Sequence, residues 1–285
     1  MLKIGDTIGI VALSGNCDIS KIEEAKLNLE KLGYKVKLSK NIFSTNGYLA
    51  GSDDEKIEEL YNFFEDLEIK LILNARGGYG AIKLINKIDY ERIKQVSKPF
   101  CGFSDITSLL LMFYKKCGFI TYHGPMASSD FANPFNEEAF FELLKYINKD
   151  EETIIIKGEK TIIPGEAKGI LWGGNLSSVV SLCGQDFIPD EGFIFFAEDL
   201  NEPVYKIDKM FTQLFNIEKF RNNCKGIILG DFLNIDNKDL LDSLLKSFKV
   251  PTVSGFKITH NYKKNVIPIG KYASLESADL SIYVK

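Results

Sequence analysis

Five stretches of this sequence put chemically competent residues where a β-rich run gives way to a turn. In Cys101-Gly102-Phe103-Ser104-Asp105-Ile106-Thr107 a serine follows an apolar strand and precedes a helical pattern. A tight turn there lifts the hydroxyl out of the sheet, and the first N–H groups of the helix point at negative charge developing beside it. The match to a nucleophile elbow is partial, because Ile106 stands where G-x-S-x-G has its second glycine; the competing reading is that Ser104 simply caps its helix. The loop Arg76-Gly77-Gly78-Tyr79-Gly80 offers backbone N–H groups to an anion, either a phosphate or an acyl-transfer oxyanion, and Arg76 a cation to a substrate carboxylate. It lacks G-x-G-x-x-G and G-K-[ST], so nucleotide chemistry is not indicated, and a flexible loop is the competing reading.

A serine needs a base, and the chain has two histidines, His123 and His260, each near the end of a strand pattern. Position alone does not choose between them. A triad also needs a buried carboxylate to orient the imidazole. Phe193-Ile194-Phe195-Phe196-Ala197 delivers Glu198-Asp199 to the end of a very apolar run, where a carboxylate is costly without a partner; solvated loop charge is the alternative.

The elements that position these residues are legible from periodicity. Thr7 to Leu13 reads as a strand, and Ile22, Ala25, Leu29 and Leu32 recur at helical spacing up to Gly33. A strand over Tyr34 to Leu38 follows, then a capping box at Ser52 and Glu55 opening a helix with Ile57, Leu60, Tyr61 and Phe64 on its apolar face. Strands at Lys70–Leu73, Pro99–Phe103 and Phe119–His123 alternate with helices at Ile106–Cys117 and Asn136–Ile147, the pattern of βα units on a largely parallel sheet. This gives an N-terminal α/β domain over 1–150, closing on the charged run Lys149-Asp150-Glu151-Glu152. Residues 151–168, alternating β-branched and charged types around Pro164-Gly165, read as an extended crossing. A smaller mixed α/β domain follows over 169–285, with strands at Gly169–Trp172, Phe193–Ala197, Gly226–Leu229 and Pro251–Val253 and helices at Asn175–Leu182, Tyr205–Phe215 and Lys238–Phe248.

Composition narrows the function classes. The 285 residues carry 35 Lys and Arg against 39 Asp and Glu, a net charge of −4 with no basic patch, so no nucleic-acid partner is expected. No stretch approaches the apolar length of a membrane span or a signal peptide, which points to a cytoplasmic protein without a membrane partner. Five scattered cysteines (Cys17, Cys101, Cys117, Cys183, Cys224) with no C-x-x-C pair, and two histidines, suit reduced thiols and no metal or other cofactor.

Taken in order, A-R-G-G-Y-G at 75–80, G-F-S-D at 102–105, H-G-P at 123–125, W-G-G-N at 172–175, E-D-L-N-E-P at 198–203, Y-K-I-D-K-M at 205–210 and His260 make the chain resemble the LD-carboxypeptidase family of serine peptidases, the S66 peptidases, which includes the microcin C immunity peptidases. The resemblance covers nearly the whole chain. It implies a flavodoxin- or Rossmann-like first domain with a parallel sheet and a C-terminal domain of swivelling β/β/α type. It also implies Ser104 as nucleophile, Glu198 and His260 as its triad partners, and a structural role for His123. The backbones of Gly78 and Asp105 become the oxyanion hole, and Arg76, Gly77, Trp172 and Asn175 substrate-binding residues. In the family pattern glycine precedes the triad histidine, whereas here Thr259 does.

By the same resemblance the substrate is a small peptide, a muropeptide losing a terminal D-amino acid next to an L-centre, and the enzyme a homodimer. The alternatives are a microcin-type peptidyl- or aminoacyl-nucleotide amide on the same residues, and, from another class, a non-catalytic peptide-binding protein. A cysteine hydrolase using Cys101 is disfavoured by its place inside an apolar strand.

Overall fold

A computed structural model describes residues 1–148 and 153–285, so the charged run at 149–152 lies outside the described residues. The chain divides into two compact units, Met1–Asp150 and Glu151–Lys285.

The first unit runs β1 (Thr7–Val11), α1 (Ile19–Lys31), β2 (Lys35–Leu38), α2 (Asp53–Glu65), β3 (Ile69–Asn74), α3 (Tyr90–Lys94), β4 (Phe100–Gly102), α4 (Thr107–Cys117), β5 (Thr121–His123) and α5 (Glu137–Asn148). Its strands are all parallel and lie in the order β2-β1-β3-β4-β5. This is the flavodoxin-like order, in which the chain reverses direction between β1 and β3 and leaves a crevice at the carboxyl ends of those strands. The loops after β1, β3 and β4 all open at that end, which is why the glycine loop and Ser104 share one edge of the sheet.

Helix starts follow from the caps. Ser52 accepts from the Glu55 N–H while the Glu55 carboxylate accepts from the Ser52 N–H, so the capping box is formed. The buried face of α2 is turned from the expected one: Lys56, Glu59, Leu60, Phe63 and Phe64 are inside, and Ile57 and Tyr61 are only partly covered. Two charged residues hold interior positions that an apolar-periodicity reading assigns to their neighbours.

In the second unit, β6 (Ile154–Lys157), β7 (Lys160–Ile163) and β8 (Glu166–Asn175) are followed by α6 (Leu176–Ser181), β9 (Phe193–Leu200), α7 (Val204–Asn216), α8 (Glu218–Asn223), β10 (Cys224–Leu233), α9 (Lys238–Leu245), β11 (Thr252–Ser254), β12 (Ile267–Ile269), β13 (Tyr272–Glu276) and β14 (Ser281–Val284). Eight of these strands form a mixed sheet in the order β6-β14-β13-β8-β9-β10-β11-β7, with a parallel centre from β8 to β11 and antiparallel margins. The expected crossing at 151–168 is corrected here. From residue 154 it builds β6, β7 and the start of β8, and Ile156, Ile162 and Ala167 are buried. Alternating β-branched and charged residues were the signature of half-buried strands rather than of a linker.

The parallel centre depends on close backbone approach. A Cβ at Gly173 would lie 1.9 Å from the Phe196 carbonyl oxygen, and Gly173 and Gly174 have φ of +148° and +150°. Gly173→Ala should therefore lose more than about 4 kcal/mol and the β8–β9 pairing with it. Denaturant unfolding followed by circular dichroism checks this, and a variant within about 1 kcal/mol of wild type would show that the backbone there yields.

Candidate active site

In the first unit the backbone of Ser104 is in the left-handed region, with φ +60°. A non-glycine residue there costs about 1–3 kcal/mol and persists only where its surroundings hold it. Three features hold it. Gly102 leaves room for Ile106, whose Cγ2 would be 2.9 Å from a Cβ at 102, so the glycine before the serine does part of the work of the missing one after it. Gly77 lies directly against the serine: a Cβ there would be 2.9 Å from Ser104 Cβ and 3.0 Å from its Oγ. Asp105, buried, accepts through Oδ2 from Ser14 Oγ at 2.5 Å and from the Ala81 N–H at 2.8 Å, tying the turn to the loops after β1 and β3.

The helix-cap reading of Ser104 is not what the structure shows. The serine opens a single 3-10 turn, residues 104–106, whose N-cap is Phe103 without a side-chain cap bond, and α4 begins at Thr107. The partly exposed hydroxyl therefore sits at a strained strand-to-helix turn, the geometry that presents a nucleophile.

The glycine loop turns back at Gly78, φ +118°, and Gly80, φ +136°. Arg76 is spent on holding it: Nη1 donates to the Asn16 carbonyl at 3.0 Å and Nε to the Gly77 carbonyl at 3.2 Å, while the Gly15 N–H also donates to Gly77. His123 is buried, with Gly102 as its partner across the β4–β5 ladder and its ring 6.1 Å from that of Phe103. Cys101 is fully buried in β4, which removes it as a solvent-reached nucleophile.

In the second unit His260 Nδ1 lies 2.8 Å from Glu198 Oε2. Glu198 has no solvent exposure, and burial pushes its carboxyl above the ordinary carboxylate range, opposed first by its bond to His260. An oxygen in that position fixes the imidazole orientation and leaves Nε2 as the nitrogen that can exchange a proton. Glu198 ends the apolar run of β9 opposite Asn175, its register partner on β8.

Asn175 and Trp172, expected to touch substrate, are placed differently. Asn175 is buried; its carbonyl oxygen accepts from the Ser178 N–H at 3.1 Å as the N-cap of α6, and its amide donates to Asp199 at 3.0 Å. Asp199 also accepts from the N–H groups of Ser177 and Leu200, both at 2.9 Å. Trp172 has no exposed surface and packs among Phe187, Phe193, Phe195 and Phe220. Its aromatic bulk belongs to the core that carries β8 and β9.

Ser14, Lys56 and the Asp105 side chain went unread in the sequence. Ser14-Gly15 directly after β1 was the available signal for the first. The rest have short-range surroundings that look like ordinary helix or loop charge. Among the described residues no group of three or more histidine, cysteine, aspartate or glutamate side chains is arranged to hold a metal, and no helix is long and apolar enough to cross a membrane.

A serine on a strained turn beside a glycine loop in the first unit, and a histidine paired with a buried carboxylate in the second, are residue types that serine-type carboxypeptidases use. The LD-carboxypeptidase N-terminal domain matches residues 8–124 and its C-terminal domain residues 168–275, and the chain belongs to that family, the S66 peptidases. It is 34% identical over its whole length, and 93% of the relative's, to the "Probable murein peptide carboxypeptidase" of Bacillus subtilis (strain 168). With the "Microcin C7 self-immunity protein MccF" of Escherichia coli it shares 23% identity over 99% of this chain and 94% of that one. The crystal structure of muramoyltetrapeptide carboxypeptidase from Oxalobacter formigenes superposes with a TM-score of 0.87 at 25% identity, covering 98% of this chain and 97% of that one.

Two outcomes follow from this geometry. Gly77→Ala should push the Ser104 side chain from its place and cut kcat/KM by about a hundredfold with the fold intact by circular dichroism; unchanged kcat/KM would mean that the loop does not hold the serine. Trp172→Phe should lower the denaturation midpoint while leaving KM within about twofold, and a raised KM at unchanged stability would return Trp172 to the substrate site.

Proposed function

We propose that this carboxypeptidase removes the terminal D-amino acid from muropeptides by covalent catalysis, with Ser104 as nucleophile, His260 as base and Glu198 as the group that orients the base. The observation that carries the reading is the 2.8 Å pairing of His260 Nδ1 with a carboxylate withdrawn from solvent, since such a pair has no use for a solvated surface histidine. The names of the relatives support the substrate class: murein peptide and muramoyltetrapeptide carboxypeptidases match the chain from end to end.

Ser104 Oγ attacks the carbonyl carbon of the L-centre while His260 Nε2 takes its proton, and the Nδ1–H bond to Glu198 stabilises the imidazolium that forms. The N–H groups of Gly78 and Asp105 hold the oxyanion, a contribution of about 3–4 kcal/mol per donor in other hydrolases. Collapse expels the D-amino acid, whose nitrogen receives the proton from His260. Water, activated by the same imidazole, then releases the shortened peptide.

Ser104→Ala should abolish D-alanine release from a muramoyl tetrapeptide, by at least about 10³-fold, with an unchanged circular dichroism spectrum. Retained release would remove Ser104 from the reaction. Turnover of an aminoacyl-nucleotide amide but not of the tetrapeptide by the wild-type protein would keep the residues and move the substrate class.

A further inference from the structure

Beneath the glycine loop lies a lysine that the reaction above does not use. Lys56 projects from the first turn of α2 and has no exposed surface. Its Nζ makes no hydrogen bond among the described residues, and a Cβ at Gly80 would sit 3.4 Å from it. A buried ammonium without hydrogen bonds is expensive, so its place in the interior needs a charge partner.

Asp53, on the same helix, is 3.9 Å away, but its carboxylate is shared with Lys87 at 3.1 Å and Lys83 at 3.8 Å on the segment beyond the loop. Asp105 is the second carboxylate whose charge reaches Lys56, after Asp53: the lysine lies against Gly80, and the N–H of the next residue, Ala81, donates to Asp105 Oδ2. Burial pushes the Asp105 carboxyl upward, the bonds from Ser14 and Ala81 oppose this, and Lys56 is the cation that acts on it. Asp105 is also the residue next to Ser104, and its Oδ2 receives both of those bonds.

We propose that Lys56 is a positioning residue for the nucleophile turn: its buried ammonium, paired first with Asp53, also supplies counter-charge to Asp105, and Asp105 in turn ties Ser14 and the end of the glycine loop to the turn that carries Ser104. The role goes beyond the triad, and its effect on turnover rests on the assignment of Ser104; the pairing of the two charges does not.

The test is a double-mutant cycle in the full-length chain with Lys56→Met, Asp105→Asn and the double variant. Each single variant should lower kcat for D-alanine release by about ten- to a hundredfold with KM within about twofold, and the double should be no worse than the worse single. In Lys56→Met the carboxyl of Asp105 keeps its proton to higher pH, so the acid limb of the kcat–pH profile should move toward neutrality, while in Asp105→Asn that displacement is absent. A merely structural role for Lys56 would lower stability without moving that limb. If Lys56→Met alone does not fold, Lys56→Met/Asp105→Asn should recover the fold, because no unpaired buried charge remains. Wild-type kcat and an unmoved limb in Lys56→Met, multiplicative losses in the double, or a double that stays unfolded would each overturn the proposal. If Ser104→Ala keeps its activity, the assignment of the nucleophile falls; thermal unfolding of the same four proteins then still decides the pairing, with non-additive shifts supporting it and additive shifts overturning it.

Discussion

The constraint on which the first unit turns is the left-handed backbone of Ser104. A strand of a parallel sheet must end and a helix begin within a few residues, and the serine absorbs that change of direction at φ +60°. The strain of about 1–3 kcal/mol is held by neighbours that leave no alternative: Gly77 pressed on its side chain, Gly102 making room for Ile106, and Asp105 bonded to Ser14 and Ala81. These ties come from the loops after β1, β3 and β4, which the flavodoxin-like strand order gathers at one edge. Topology and glycine placement together hold one backbone geometry, and that geometry presents the partly exposed serine.

The second unit solves a different problem, that of keeping a carboxylate where solvent cannot reach it. Glu198 ends the apolar run of β9 opposite Asn175 on β8, and the two strands approach so closely that Gly173 admits no side chain. Asp199, next in sequence, accepts from the Asn175 amide and two backbone N–H groups, and Glu198 pairs with His260. The aromatic cluster around Trp172 stiffens this framework from below.

Much of this was legible in the sequence, for physical reasons that differ by element. Helices α1 and α4 and the strands β1 to β5 follow from apolar periodicity and caps, and Glu198 from the cost of a carboxylate at the end of an apolar run. The segment at 154–168 was misread because edge strands carry charge on their exposed face, and β13 and β14 went unread because they are short and mixed in polarity. Lys56 and Glu59 escaped because charged residues on a helix read as its solvated face. For Trp172 and Asn175 a motif was visible but its purpose was not: the tryptophan fills the core and the asparagine caps α6, tasks that only packing reveals.

The most direct test of the central claim is mass spectrometry of the acid-quenched protein during turnover of a muramoyl tetrapeptide, with the modified residue located by peptide mapping. An acyl group equal to the substrate less its terminal D-alanine should appear on the peptide containing Ser104. An adduct on any other residue, or steady D-alanine release with no adduct even in a variant whose deacylation is slowed, would contradict the account.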